Sequence, residues 1–260
     1  MVRPNKISPL KDRPLRNPGQ SLEAQLDDLR DRKILLPILT AGVLILLAGL
    51  EWFRWYRDTP PQPGIYSLFA IGYAIYVVVT IRRSWAHLQA IKLGRDGERA
   101  VGQYLDQLRE SGSRVFHDIV GQGFNVDHVV VAARGIFVVE TKTWRKPARG
   151  EAHISFDGTS IRADGYTPER DPIRQVLAQA AWLRDILRES TGKAFPVKPV
   201  IVFPGWFVEG AATTEAKKRG VWLLNPKALP SFIAAEPALC GIEDLKLAGY
   251  HLSRYIRTTP

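Results

Sequence analysis

Two stretches of this chain look like buried strands but contain charged residues. Residues 126–133 contain Asp127, and residues 135–142 contain Glu140 and Lys142. Both stretches are rich in valine, isoleucine and phenylalanine, which is typical of strands in a sheet that is covered on both sides. An unpaired carboxylate buried in such a sheet is costly and tends to take up a proton. The pattern therefore predicts a bound metal ion or a partner cation at this place.

The spacing of these charged residues restricts them to one face of a hairpin. Glu140 and Lys142 are two positions apart, so their side chains point the same way. With a two-residue loop at 133–134, Asp127 lies opposite Glu140, with Cβ atoms roughly 4.5–5.5 Å apart. With the loop at 134–135, Asp127 faces Lys142 instead and Glu140 lies diagonally across. A three-residue loop with a bulge is a third alternative, and it would separate the groups.

Five short segments between residues 94 and 203 follow one another in a recognisable order. They are Gly94-Arg95-Asp96-Gly97-Glu98-Arg99, Asn125-Val126-Asp127-His128-Val129-Val130-Val131, Gly135-Ile136-Phe137-Val138-Val139-Glu140-Thr141-Lys142, Asp171-Pro172-Ile173-Arg174-Gln175 and Val200-Ile201-Val202-Phe203. In this order and spacing, the segments resemble the core of the PD-(D/E)XK nucleases. More narrowly, they resemble the nuclease-related domain, NERD.

The resemblance implies a fold and a role for each site residue. The fold would be α/β, with a restriction-endonuclease-like mixed sheet flanked by helices. Asp127 and Glu140 would be metal ligands, and Lys142 would orient or activate the attacking water. Glu98, on the preceding helix, would complete the acidic cluster as a third ligand. Gln175 would face the same site from a later helix.

The residue types suit hydrolysis of a phosphodiester. That reaction needs a hydroxide near neutral pH and positive charge beside the phosphate, and a carboxylate-bound Mg²⁺ can supply both. A lysine adds a further positive charge. The sequence has no His and Cys cluster with zinc spacing, so oxygen donors favour Mg²⁺ or Mn²⁺ over zinc. We expect a metal-dependent nuclease acting on DNA, or on RNA.

Two other classes of function are compatible with the sequence. One is a catalytically inactive module of the same fold that binds nucleic acid or a protein at the membrane. The other is a membrane interaction protein whose folded domain is only a scaffold. The intact set of Asp127, Glu140 and Lys142 favours the enzyme, because a fold alone has no need of buried like charges.

Two uncharged stretches lie near the N-terminus. Residues 34–50 and 60–81 contain no charged side chain. At about 1.5 Å per residue, each is long enough to span or nearly span a hydrocarbon core of about 30 Å. Trp52, Trp55 and Trp85 beside them fit anchoring at the membrane interface. The sequence predicts a transmembrane hairpin, and the alternative is a buried helical hairpin in a soluble protein.

The distribution of lysine and arginine predicts the orientation of that hairpin. Eight such residues precede the first stretch, and the second is followed by Arg82 and Arg83, whereas the connection has only Arg54 and Arg57. The positive-inside rule then places both termini in the cytoplasm, as for a multi-pass protein of the inner membrane. A single cysteine, Cys240, fits that compartment.

The net charge of +10 has two interpretations. Near the N-terminus and beside the membrane, attraction to anionic lipid headgroups explains the excess better than nucleic-acid binding. Beyond the candidate site, Lys142, Arg145, Lys146 and Arg149 form a basic cluster. This cluster could neutralise phosphates, or it could be a solvated loop.

Four regions follow from these patterns. Residues 1–32 form a basic, largely disordered arm with a short amphipathic helix, and residues 33–84 form two transmembrane helices. Residues 85–95 are a linker helix and the start of a hinge at Gly94–Gly97, with Asp96 capping the next helix. Residues 96–260 form the nuclease-related domain. In that domain, we expect His128 to be a packed core histidine and Trp144 and Trp206 to pack rather than stack on bases.

Overall fold

The computed structural model describes residues 13–57, 62–146, 152–164 and 171–259. The helices in these ranges are α1 (Gln20–Arg30), α2 (Leu36–Tyr56), α3 (Pro63–Asp106), α4 (Pro172–Thr191), α5 (Gly210–Lys218), α6 (Leu229–Ala235) and α7 (Ile242–Thr258). The strands are β1 (Arg114–Val120), β2 (Asn125–Ala132), β3 (Gly135–Thr141), β4 (His153–Phe156), β5 (Ile161–Ala163), β6 (Val197–Val202), β7 (Phe207–Val208) and β8 (Trp222–Leu224). Arg149, the arm before Arg13 and residues 58–61 lie outside the described residues.

The chain divides into two compact units, and one of them consists of residues 21–93. This unit contains the two uncharged stretches as long helices. A π-helical turn, Asp31–Leu35, joins α1 to α2 without a break. By length and composition, Gln20–Tyr56 and Pro63–Arg109 could each cross a membrane. Many of their leucine, isoleucine and phenylalanine side chains are exposed, which an aqueous environment disfavours.

Helix α3 contradicts the predicted hinge. The sequence predicts a linker helix, then a hinge at Gly94–Gly97 and a new helix capped by Asp96. The linker helix is present, but α3 continues without a break from Pro63 to Asp106. The glycines there have a packing role. A Cβ built on Gly97 would lie 2.7 Å from Thr143 Cβ, so only glycine allows this close approach. The hinge prediction is therefore wrong.

The second unit contains residues 94–260 together with the residues up to 20. Its main sheet has the strand order β1-β2-β3-β6-β8. Strands β1, β2 and β3 are antiparallel neighbours, whereas β6 and β8 are parallel to β3. A smaller sheet has the order β5-β4-β7. The unit is thus a mixed α/β domain with a sheet flanked by helices, as the sequence predicts.

Apolar side chains cover both faces of the main sheet. On one face, Val138 of β3 and Leu183 of α4 belong to a core cluster that also includes residues of α7. On the other face, Val139 packs in a cluster with Val101 and Leu105 of α3. The charged residues of β2 and β3 are therefore held in a sheet with apolar cores on both sides.

The turn between β2 and β3 decides among the three predicted alternatives. Ala132 pairs with Gly135, so residues 133–134 form a two-residue loop. Gly135 has φ of 125°, a backbone conformation that other residues rarely adopt. Continued along the strands, this register places Asp127 opposite Glu140. The first alternative is confirmed.

Candidate functional site

Strand β2 brings Asp127 to a place where the backbone ladder is irregular. On β1, His117 pairs with His128 and Ile119 with Val126, so Asp118 and Asp127 occupy the position between these pairs. Asp118 has φ of 50°, which is unusual for a residue other than glycine. Asp127 accepts a hydrogen bond on Oδ2 from the backbone N–H of Thr141, at 2.7 Å. A side chain thereby takes the place of a main-chain acceptor between β2 and β3.

Glu140 is the centre of a network of side chains from β3 and α4. Its Oε1 accepts hydrogen bonds from Lys142 Nζ at 2.6 Å and Gln175 Nε2 at 2.7 Å. Its Oε2 accepts one from Gln179 Nε2, also at 2.7 Å. Lys142 Nζ also donates to Gln175 Oε1, at 2.9 Å. The glutamines thus hold both the carboxylate and the ammonium group.

The start of α4 is fixed by local sequence. The carboxylate of Asp171 accepts hydrogen bonds from the backbone N–H groups of Ile173 and Arg174, and Pro172 is the first helical residue. Gln175 therefore lies in the first turn, and Gln179 lies one turn later on the same face. The cap thus determines where both amides meet Glu140.

Burial and like charge raise two carboxyl pKa values in this site. Burial, and then the carboxylates of Asp118 and Glu140, raise the pKa of Glu98 from 4.5 to about 8. Burial, and then Glu140 and Glu98, raise the pKa of Asp127 well above its usual 3.8. Lys142 opposes both effects. Glu98, Asp118, Asp127 and Glu140 therefore lie near enough to influence one another's ionisation.

Residues 93–204 match the NERD family model. NERD stands for nuclease-related domain, and the matched range contains Glu98, Asp127, Glu140, Lys142 and Gln175. The match supports the resemblance noted in the sequence and indicates a nuclease-like domain. No curated protein and no solved structure matches this chain.

In the nuclease-related domain, two side chains that the sequence reasoning missed lie at the site. Asp118 is 2% exposed, and its carboxylate is a main cause of the raised pKa of Glu98. Gln179 is equally buried and bonds Glu140. The four-residue spacing from Gln175 is the signal that could have identified Gln179, because such residues share a helix face.

The segment from Arg13 to Gly19 also contacts the nuclease-related domain. Arg16 Nε donates to Asp118 Oδ2 at 2.8 Å, and the backbone N–H of Gly19 donates to the Glu98 carboxylate. Arg257 Nη1, near the C-terminus, donates to the carbonyl oxygen of Arg13 at 2.9 Å. The sequence predicts a disordered arm through Gly19. For Arg13 to Gly19 the structure has a segment bonded to the domain, because buried carboxylates there recruit its donors.

Two histidines beside the site form a buried pair. His117 Nδ1 and His128 Nδ1 lie 2.9 Å apart, and His117 Nε2 lies 3.3 Å from Asp106 Oδ1. Burial lowers the pKa of both imidazoles. His128 has no exposed surface, which confirms the predicted core histidine. Trp206 is 2% exposed and also packs as predicted.

The donor chemistry of the site suits a hard divalent cation. Glu98, Asp127 and Glu140 supply carboxylate oxygens, and among the described residues Asp127 Oδ1 receives no hydrogen bond. Within the described residues, however, no three His, Cys, Asp or Glu side chains are arranged so that they could hold a metal ion. Lys142 Nζ bonds Glu140 Oε1, an oxygen that a bound cation would otherwise use. Metal binding would require this lysine to shift.

Proposed function

We propose that this chain is a membrane-anchored, divalent-metal-dependent nuclease that hydrolyses phosphodiester bonds of DNA. One observation carries the proposal. Inside the range that matches the nuclease-related domain, Glu140, Lys142 and Gln175 are joined by hydrogen bonds of 2.6 to 2.9 Å. Asp127 lies opposite this network on the neighbouring strand. RNA is the alternative substrate.

Each residue has a proposed role. A Mg²⁺ or Mn²⁺ ion bound by Asp127, Glu140 and Glu98 would supply a hydroxide at neutral pH and balance the charge on the phosphate. Lys142 would orient the attacking water and hold a phosphate oxygen with its ammonium group. Gln175 would hold that ammonium group in place through its Oε1, since the two atoms are already 2.9 Å apart.

The proposed location follows from the long apolar helices and the charges beside them. The two helices would span the inner membrane, with the lipid bilayer as a partner. Both termini and the nuclease-related domain would lie in the cytoplasm, because lysine and arginine are concentrated outside the connection between the spans. In that compartment the domain would meet nucleic acid.

Cleavage by the purified full-length chain in detergent tests the catalytic proposal. We expect plasmid and single-stranded DNA to be cut with Mg²⁺ or Mn²⁺ and to stay intact with EDTA. Asp127→Asn and Lys142→Met should each lower the rate by about 100-fold or more, because each removes one charged group that acts in the transition state. Gel analysis of the products measures the rate.

Matched controls make this test specific. Asp185→Asn and Lys246→Met remove the same charges from exposed residues of α4 and α7, so they should cut as fast as the wild type. If Asp127→Asn and Lys142→Met also cut as fast, the proposed roles fail. Calorimetric titration with Mg²⁺ checks metal binding without cleavage, and Asp127→Asn should weaken it.

The ion pair between Lys142 and Glu140 favours one second candidate. A site whose own lysine neutralises a carboxylate can persist without a metal, as in an inactive module that binds nucleic acid or protein at the membrane. A wild-type chain that binds an oligonucleotide but neither takes up Mg²⁺ nor cuts DNA would favour this candidate over the nuclease.

A further inference from the structure

A cavity opens at the same edge of the main sheet as the candidate site. It has a volume of about 750 Å³ and lies beyond the carboxyl ends of β6 and β8. Lys142 directly follows β3, and β3, β6 and β8 are parallel neighbours. Their carboxyl ends therefore meet at one edge, where pockets of open α/β sheets usually lie. With strands about 4.8 Å apart, the ends of β3 and β8 are roughly 10 Å from each other.

The extended chain after β3 also connects the two places. Lys142 N–H donates to Val202 O at 2.9 Å, and Trp206 Nε1 donates to Trp144 O at 3.3 Å. The segment then brings Lys146 to the rim of the cavity, because a Cβ built on Gly205 would lie 3.1 Å from Lys146 Nζ. Lys146 is four positions after Lys142, a reach of at most about 14 Å.

The lining of this cavity combines positive charge with aromatic surface. Lys217 and Lys227 line it, and both are exposed. Among the described residues, neither they nor Lys146 forms an ion pair with a carboxylate. Lys217 Nζ lies 5.0 Å from the centre of the Phe232 ring. Phe207 also lines the cavity and is 61% exposed, although it is a large apolar side chain.

We propose that this cavity binds a nucleotide of a single-stranded nucleic acid segment beside the phosphate that is cut. Lys146, Lys217 and Lys227 would contact phosphates, and a base would stack on Phe207. A base enters a cavity only when it is unstacked, which favours a single strand over a duplex. The inference rests on the proposed action on nucleic acid, and it adds the form of the substrate.

Oligonucleotide binding in EDTA tests the cavity separately from cleavage. The probe is a 12-nucleotide oligothymidylate with a 5′ fluorescein, and anisotropy with the full-length chain in detergent gives Kd over a range of salt concentrations. For Lys217→Gln/Lys227→Gln, we expect Kd to rise about tenfold at low salt. The slope of log K against log salt should fall by about 1.4, because two phosphate contacts are lost. Phe207→Ala should raise Kd about tenfold.

The control variant removes the same number of charges outside the cavity. Lys218 is adjacent to Lys217 on α5 but bonds Glu215, and Lys246 lies on α7 beside Glu243. Lys218→Gln/Lys246→Gln should change Kd less than twofold and leave the salt slope unchanged. A fall in slope shared by both double variants would reflect net charge alone, and would overturn the cavity proposal.

Two outcomes separate this proposal from the catalytic one. If the cavity variants bind like the wild type, or the wild type does not bind the oligonucleotide, the cavity proposal is wrong whatever the cleavage assay shows. If binding depends on the cavity but no metal supports cleavage, only the proposed catalysis is wrong. Tighter binding of a duplex of equal length, insensitive to Phe207→Ala, would overturn the choice of a single strand.

Discussion

At the scale of residues, the site brings several buried carboxyl groups close to Lys142. Glu98, Asp127 and Glu140 are almost fully buried, and Lys142 bonds only one of them. Buried like charges favour the protonated form, and they become ionised together only when further positive charge arrives. Uptake of the proposed metal ion would therefore release protons.

This coupling predicts how stability depends on pH in the metal-free protein. The pKa of Glu98 is about 8 in the folded chain against 4.5 ordinarily, so the folded state binds more protons between these values. The contribution of Glu98 to stability is therefore complete below pH 4.5 and is lost as pH rises through 8. From pH 6.5 to 8 in EDTA, the unfolding free energy should fall by about 1–2 kcal/mol.

Urea denaturation of Glu98→Gln checks the cause. Burial lowers the pKa of His117 and His128, so most of their contribution changes below pH 6.5; the small remainder raises stability with pH and is the same in both proteins compared. We expect Glu98→Gln to lose less stability across this window than the wild type. Glu110→Gln, which removes an exposed carboxylate, should follow the wild type. Equal curves for wild type and Glu98→Gln would contradict the prediction.

The sequence predicts part of this site, for a physical reason. Asp127, Glu140 and Lys142 could be assigned to one place because side chains alternate along strands and a two-residue loop fixes the register. Asp118 escaped this reasoning because its φ of 50° departs from regular strand geometry. Arg16 escaped it because it meets Asp118 across 102 positions in the chain, and no local pattern encodes such a contact.

At the scale of elements, α3 positions Glu98 by a close approach. Gly97 lies against Thr143, the residue after Lys142, and Glu98 is the next residue on the helix. A helix without a side chain at this point can lie nearer to the sheet than one with a methyl group. Gly97, which the sequence predicts to be part of a hinge, therefore helps to set the distance between Glu98 and the rest of the site.

Gly97→Ala tests this packing. Alanine favours a helix over glycine by about 1 kcal/mol, but here its Cβ would overlap Thr143. We expect a net loss of about 1–3 kcal/mol in unfolding free energy, measured in urea. Gly210→Ala in α5 is the control, because a Cβ there meets nothing within 4 Å. Similar stability of Gly97→Ala and the wild type would show that the close approach is not required.

Long elements were easier to predict than short ones. Helix α4 is recognisable in the sequence from Pro172 and a regular apolar face, and both are present in the structure. Two short elements were not predicted from the sequence: strand β7, which has two residues, and helix α5, which has nine. Two residues have no measurable periodicity, and β7 forms because β4, distant in sequence, offers its edge. Both missed elements line the cavity that we assign to a nucleotide.

At the scale of the whole molecule, one compact unit is discontinuous in sequence. Residues up to 20 belong with residues 94–260, and residues 21–93 form the other unit between them. The contacts of Arg16 and Gly19 with the acidic residues explain this arrangement. Along the chain, residues 21–93 are thus inserted between two parts of the unit that contains the match to the nuclease-related domain.

Membrane extraction tests whether that insertion is an anchor. We expect the full-length chain to stay in the membrane fraction after an alkaline carbonate wash. Leu46→Arg/Ile75→Arg places a charge in each apolar helix, at a cost of about 2.5–3.5 kcal/mol per arginine in a bilayer, and should move the chain to the soluble or aggregated fraction. Leu239→Arg adds a charge at an exposed leucine outside the helices and should stay in the membrane. A wild-type chain that is soluble without detergent would rule out the anchor, because a hairpin that is buried inside a soluble protein needs neither lipid nor detergent.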